Sequence, residues 1–270
     1  MHIVITGSTG FLGKETTLAL KKNYKLTFIG KKKIKKKNYI FCNLNNSKKL
    51  KLVFEKLKPD VVINLAAEVN FTKKTKNMYK VNTLCPYLIA KFCKKNNAHF
   101  IHASGTIING MKSVYNIKTK YEPVNAYGKS KLDAEILIRK INCKYSIIRF
   151  GGIYGKNGPQ HLGINKFIKD ALNGKNINFT GNIQSMRNYI FVKDAAKFIQ
   201  NCVRFKFLGV FYAGGEKQSF KQMLLKIKSV LGQNILLNFK NNDKPRQDQI
   251  ITNNKKFMLT SFKKSLLKMV

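Results

Sequence analysis

Tyr127 and Lys131 stand four residues apart in the run Tyr-Gly-Lys-Ser-Lys. On a helix, residues i and i+4 share one face, so a phenol and an ammonium would lie side by side. A phenol ordinarily titrates near pH ~10. A neighbouring cation favours the phenolate and lowers that value. Such a pair could give and take a proton near neutral pH. The spacing also occurs on ordinary amphipathic helices, so its meaning depends on what surrounds it. The second feature is Gly7-Ser8-Thr9-Gly10-Phe11-Leu12-Gly13, directly after the short β-branched run His2 to Thr6. Glycines allow a tight turn and a close approach of backbone to a pyrophosphate. The helix that follows offers unpaired N–H groups and the positive end of its dipole.

The elements needed to position these groups are legible as alternating periods. Strands are expected at His2–Thr6, Lys25–Ile29, Val61–Asn64, His99–His102 and Tyr145–Arg149. Helices are expected at Leu12–Lys22, Leu50–Leu57, Met78–Lys95 and Ala126–Lys140. Strands separated by helices imply βαβ units and a parallel sheet. An all-apolar strand such as Val61-Val62-Ile63 suits a sheet covered on both faces. The expected fold is α/β, a Rossmann-type doubly wound parallel sheet with a small C-terminal α/β lobe. After residue 150 the rhythm loosens. Helices are expected at Ile164–Leu172, Asp194–Val203 and Phe220–Leu231, with strands near Ile177–Thr180, Val210–Tyr212 and Ile235–Leu237. This places a dinucleotide-binding domain at 1–155. A smaller substrate-binding lobe follows at 156–270, interleaved with the last strands of the sheet.

The chain of 270 residues carries 52 basic and 12 acidic side chains, a formal charge of +40. Only five of the basic residues are Arg, and the lysines run along the whole chain. A surface selected for phosphodiester backbone is expected to use the bidentate fork of Arg. The charge therefore reads as a compositional bias towards lysine, and no nucleic-acid or membrane partner is expected. It would still help to steer a di-anionic substrate. The densest run, Lys31 to Lys37, reads as a solvated loop. Cys42, Cys85, Cys93, Cys143 and Cys202 are scattered and odd in number, which argues against a disulfide framework or zinc site. The glycine turn interrupts any signal-peptide core, and no apolar run reaches the roughly 18 residues of a membrane span. A cytoplasmic enzyme is the expectation, with no metal.

The Thr-Gly-x-x-Gly-Phe-Leu-Gly form of the first motif resembles the extended short-chain dehydrogenase/reductases, the NAD-dependent epimerase/dehydratase family. Tyr127-x-x-x-Lys131 with its Ser130, Lys131, Glu135 continuation is similar to that family too. Asn43-Leu44 resembles the family's Asp-Leu near the adenine, with Asn in place of Asp. Asn64-Leu65-Ala66-Ala67 resembles the strand-end Asn-x-Ala-Ala along the cofactor, and Asn82 resembles a helix Asn. The resemblance implies cofactor contacts at Gly7, Thr9, Gly10, Phe11, Leu12, Gly13, Lys31, Asn43, Leu44, Leu65, Ala66, Ala67, Asn82, Tyr127 and Lys131. It makes Tyr127 the catalytic acid/base, with Lys131 lowering its pKa and holding the nicotinamide ribose. A Ser or Thr at the end of the fourth strand would hydrogen-bond the reacting oxygen. Aligned with sugar-nucleotide reductases through Ile107-Ile108-Asn109-Gly110, that role falls on Ser104, with Thr106 in reserve. Aligned with 4-epimerases it falls on Gly105, which has no hydroxyl. Arg149-x-x-x-x-Tyr154-Gly155 and Arg187-Asn188-Tyr189-x-x-Val192-x-Asp194 also resemble family segments. Arg187 and Arg246 are the implied contacts to a nucleotide diphosphate.

Cofactor choice in this fold is read at the end of the second strand, where an acid favours NAD and a basic residue tolerates NADP. Here Gly30-Lys31-Lys32 carries no acid, which favours NADP over NAD. The Asp-Glu pair of the family's dehydratases is missing after Ser104, and no cysteine lies near it. A nucleotide-sugar keto-reductase is the leading expectation and a 4-epimerase the alternative. A reductase of another small carbonyl, or a non-catalytic dinucleotide-binding protein, stands behind them. A homodimer is possible through the Tyr127 helix, by resemblance alone.

Overall fold

The computed structural model describes residues 1–35, 37–73, 75–240 and 242–270. In the first part of the chain β1 (His2–Thr6), α1 (Phe11–Leu20), β2 (Lys25–Gly30), β3 (Tyr39–Phe41), α2 (Ser47–Leu57) and β4 (Val61–Asn64) alternate. A composite helix follows: α3 (Lys76–Tyr79), a π-helical turn Lys80–Leu84 and α4 (Cys85–Lys95). Then come β5 (His99–Gly105), a 3-10 turn Thr106–Asn109 and α5 (Ala126–Ile141).

These strands belong to one seven-stranded sheet. Its order is Gly209–Ala213, Tyr145–Phe150, β5, β4, β1, β2, β3. The pairs β3–β2, β2–β1, β1–β4 and β4–β5 are all parallel. The expected α/β, Rossmann-type doubly wound sheet is thus the observed one. Ile3, Val4 and Ile5 of β1 and Val62 and Ile63 of β4 are wholly buried, which is why these strands read as continuous apolar runs. Cys42, Cys85, Cys93 and Cys143 pack in one core cluster with Val4, Phe54 and Phe100, where free thiols behave as small hydrophobes. Of the lysine run after β2, Lys36 lies outside the described residues. Lys31, Lys32, Lys33, Lys35 and Lys37 are exposed.

The chain forms two compact units. The first comprises 1–110, 120–149 and 196–211; the second comprises 111–119, 150–195 and 212–270. Within the second unit the strands are short. Ile153–Tyr154 pairs with Ile190–Phe191, Ile177–Thr180 with Leu237–Lys240, and Met186–Arg187 with Gln218–Ser219. The late strand begins at Leu237 rather than Ile235, because Ile235 closes a turn onto Gly232 O and buries its side chain there. The helix Phe220–Leu231 opens with a capping box between Ser219 and Gln222, a reciprocal pair that satisfies two otherwise free N–H groups.

The sequence expects one helix from Met78 to Lys95; the structure has a widened turn inside it. Pro86, in the first turn of α4, offers no N–H to the carbonyl four residues back, at Asn82. A π-helical turn absorbs the mismatch. It also turns Asn82 and Thr83 inward towards α5, where Thr83 Oγ1 donates to Ser130 O at 2.9 Å. No described helix is long and apolar enough to cross a membrane.

Candidate active site

The glycine turn leads from β1 into α1. Gly7 has φ +73, and a Cβ there would meet Ala66 N at 2.6 Å. A Cβ on Gly13 would stand 2.1 Å from Gly7 O, so the helix can lie this close to the turn only without a side chain. Gly10 caps α1 with no side-chain hydrogen bond, and the first turn holds no acidic residue. The N–H groups at this end are therefore available, at the positive end of the helix dipole.

A cavity of about 290 Å³ opens at the same place, at the carboxyl ends of the first four strands. Gly7, Thr9 and Gly10 line it from the turn, Gly30, Lys31 and Lys32 from the end of β2, and Asn43 and Leu44 from beyond β3. Leu65, Ala66, Ala67 and Glu68 line it after β4, with Asn77 and Val81 from the helix. The turn, the uncapped helix end and the Leu65-Ala66-Ala67 wall fit a dinucleotide. Nine of the positions expected from sequence, Gly7, Thr9, Gly10, Lys31, Asn43, Leu44, Leu65, Ala66 and Ala67, lie in this one lining. Phe11, Leu12 and Gly13 sit in the first turn of α1 outside it.

Gly30 and Lys32 lie in the segment read for cofactor choice, whereas Glu68, Asn77 and Val81 were missed by sequence reasoning. Glu68 is adjacent to a residue already singled out, and that adjacency was the available signal. The Glu68 carboxylate is occupied by Thr75 Oγ1 at 2.9 Å and by Asn77 Nδ2. Asn82 is buried and acts as a strut. Its Oδ1 accepts from Glu68 N at 2.8 Å, and its Nδ2 donates to Glu68 O and to Ser130 Oγ at 2.8 and 3.0 Å. It therefore joins the strap after β4 to the helix that carries Tyr127.

α5 starts at Asn125, whose side chain accepts from Gly128 N at 2.8 Å. It buries Gly128, Ser130, Lys131, Ala134, Glu135 and Ile138, the face that i, i+3 and i+4 spacing defines. Tyr127 is half-buried and packs edge-on against Phe71, with centroids 5.7 Å apart. Although part of its surface is open, the protein around the ring pushes the phenol up to about 12. Lys131 is buried, and desolvation pushes its ammonium down to about 8 against the opposing pull of Glu135. Its Nζ donates to Ala103 O at 2.6 Å and lies 3.3 Å from His102 Nε2. The sequence predicts a phenol lowered by an adjacent cation; in the free chain burial pushes it the other way. Burial acts on both groups, and it disfavours each charged form.

Ser104 is buried beside Lys131's neighbour one turn on. Its Oγ donates to Glu135 Oε1 at 2.5 Å. Glu135 also receives Arg149, through Nη2 at 2.6 Å and Nε at 3.1 Å on Oε2. The guanidinium stacks over the Tyr121 ring at 4.9 Å and donates to the Tyr121 hydroxyl at 2.9 Å. Arg149 and Glu135 are each 1 % exposed. A serine hydroxyl has one hydrogen to donate, and here it is donated to Glu135 Oε1. Thr106 is half-buried at the start of the 3-10 turn and makes no side-chain hydrogen bond among the described residues.

Arg187 and Arg246 belong to the second unit, and the structure fastens both to the segment 246–249. Arg187 Nη1 donates to Met186 O at 2.9 Å and to Gln247 O, and its guanidinium stacks 5.1 Å over Phe220. Arg246 makes a two-pronged contact with Asp248, at 2.9 and 2.8 Å. That contact helps to hold the Asp248 carboxyl below its usual range.

Compared with known proteins, residues 1–218 match the family described as RmlD substrate binding domain. The chain belongs to this family. It is an extended short-chain dehydrogenase/reductase, as its motifs imply. The dTDP-D-glucose 4,6-dehydratase of Dictyostelium discoideum is 29% identical over 230 residues, covering 71% of this chain and 53% of that protein. The dTDP-4-dehydrorhamnose reductase of Aggregatibacter actinomycetemcomitans is 26% identical over 176 residues, covering 63% and 56%. The chain thus spans about half the length of these two relatives. Among solved structures, the dTDP-4-dehydrorhamnose reductase of Bacillus anthracis in complex with NADP superposes on the RmlD-family chain with a TM-score of 0.80. Identity is 19%, over 99% of this chain and 98% of that one, a likeness of fold.

Proposed function

We propose that this RmlD-family chain is an NADP-dependent reductase of a nucleotide-linked keto sugar. The reading is carried by Tyr127, a phenol that stays protonated, set one helical turn from an amine held against Ala103 at the end of β5. NADPH, when bound, supplies the hydride. Tyr127 then gives its hydroxyl proton to the oxygen developing on the keto carbon. The phenolate left behind is stabilised by the Lys131 ammonium, whose charge disfavours return of the proton before product leaves. A protonated phenol suits the reductive direction, in which the enzyme acts first as an acid. The names of the relatives support a nucleotide sugar as the substrate class. The Arg187-to-Asp194 segment favours a second reading, a 4-epimerase, which would recycle tightly held NAD.

The hydroxyl that orients the reacting oxygen is assigned to Thr106, because the Ser104 hydroxyl already donates its hydrogen bond to Glu135. Thr106→Val is expected to lower kcat about 100-fold, the loss typical of one donor to a developing oxyanion. Ser104→Ala should instead cost about 1 kcal/mol of stability, by removing one partner of a buried carboxylate. Steady-state kinetics and thermal melts of the two variants check this; equal kcat losses would return the role to Ser104.

Preference for NADP rests on Lys31 and Lys32, which line the cavity at the end of β2. Replacing both by Ala is expected to weaken NADPH at least about tenfold, the size of one lost charge-assisted contact, with little change for NADH. Fluorescence titration with each dinucleotide, after analysis of any nucleotide retained on purification, tests it. Tightly retained NAD would support the epimerase reading instead.

A further inference from the structure

Lys131 ends a buried polar chain that the reaction sketched above does not use. On β5, His102 has no exposed surface. Its Nε2 lies 3.3 Å from Lys131 Nζ and its Nδ1 lies 3.1 Å from Asn64 Nδ2, at the end of β4. Asn64 is itself hydrogen-bonded to Thr6 Oγ1, at the end of β1. Three adjacent strands, β1, β4 and β5, thus each contribute one polar side chain, in line, to one lysine.

We propose that His102 is a positioning residue, holding the Lys131 amine against Ala103 O through a chain braced by Asn64 and Thr6. The inference rests on the proposed role of Lys131 in proton transfer from Tyr127.

The hydrogen-bond inventory gives the chain a second property. A neutral imidazole has one donor and one acceptor nitrogen, and burial beside Lys131 keeps His102 neutral, with its pKa well below the usual value. With the Asn64 NH2 turned to Nδ1, the ring carries its proton on Nε2 and matches Lys131 as a neutral amine. With the Asn64 amide turned over, its oxygen takes a proton on Nδ1, and Nε2 is free to accept from the ammonium. Thr6 is satisfied either way, as donor or as acceptor. The chain is therefore complete for both charge states of Lys131, and no buried polar atom in it is orphaned in either. The charged and titratable groups acting on Lys131 are Glu135, on its own helix, and His102; β1 and β4 contribute the uncharged Thr6 and Asn64.

The test reads Lys131 itself, so it does not depend on finding the substrate. Full-length protein labelled at lysine Cε and Nζ is titrated by NMR from about pH 6 to about pH 11. Lys131 is identified as the resonance missing from Lys131→Met. Two variants separate the ends of the imidazole. His102→Gln places an amide oxygen near the position of Nε2 and can still reach Lys131. His102→Asn reaches only as far as Nδ1 and loses Lys131. The Asn variant is expected to lower the lysine titration by about one pH unit or more, the size of a lost charge-assisted hydrogen bond. The Gln variant is expected to return it to within about half a unit of wild type. A Lys131 that titrates identically in wild type and both variants would overturn the proposal. Equal displacement in both variants would also overturn it, reducing His102 to a packing residue. Failure of the reductase reading alone would leave the titration difference intact, with no turnover of keto sugars by wild type.

Discussion

Tyr127→Phe is expected to lower kcat for keto-sugar reduction by about 100- to 10,000-fold, the range for loss of a positioned general acid. Dinucleotide affinity should change little, because the cavity at the glycine turn does not include this ring. The substitution removes only a hydroxyl, and the edge-on contact with Phe71 can persist. The pH dependence of the wild type has a defined sign. With the phenol pushed up to about 12 and the lysine pushed down to about 8, the acid is protonated throughout the neutral range. The charge on Lys131 is present below about pH 8 and lost above it. Reduction should therefore hold level towards pH 8 and decline beyond it. Pre-steady-state measurement of hydride transfer across pH separates this limb from product release.

The second large effect is on stability. Arg149→Met is expected to destabilise the chain by about 3–5 kcal/mol, because it leaves Glu135 buried without its charged partner. For a protein of this size that corresponds to a fall of about 10 °C in Tm. The double variant Arg149→Met/Glu135→Met should recover most of the loss, since replacing both ions by apolar groups is often close to neutral. Thermal melts of the two single variants and the double variant measure the coupling. A double variant as unstable as the sum of the singles would show that packing around Tyr121 and Ser104, rather than the ion pair, holds α5 to the neighbouring strands.

Much of the fold was legible because its signals are local. The apolar runs of β1 and β4, the glycine turn and the helical face of α5 each lie within a short window, and the structure has them nearly where the periods place them. The cavity lining was legible for the same reason, since each of its segments follows directly on a strand. What the sequence could not show depends on which strand faces which helix. His102 reads as one polar residue in an apolar strand until β5 is laid beside Lys131. Ser104 reads as the strand-end hydroxyl for the reacting oxygen, with Thr106 in reserve, until β5 is laid beside α5 and Ser104 Oγ is found donating to Glu135. Asn82 reads as a cofactor contact by resemblance, yet its side chain is used to brace Glu68 and Ser130. The π-helical turn was invisible as a turn, although Pro86 was the residue that required it. The electrostatics followed the same pattern: the four-residue spacing of Tyr127 and Lys131 is visible in the sequence, but the depth of burial decides the direction of both shifts.

The most direct test of the reductase account is NADPH consumption, followed by near-ultraviolet absorbance, with a panel of nucleotide-linked keto sugars, wild type beside Tyr127→Phe. The account predicts stoichiometric oxidation of NADPH with at least one member of the panel and a rate reduced at least about 100-fold in the variant. Interconversion of sugar hydroxyl epimers by wild type with retained NAD and no net consumption of NADPH would contradict it.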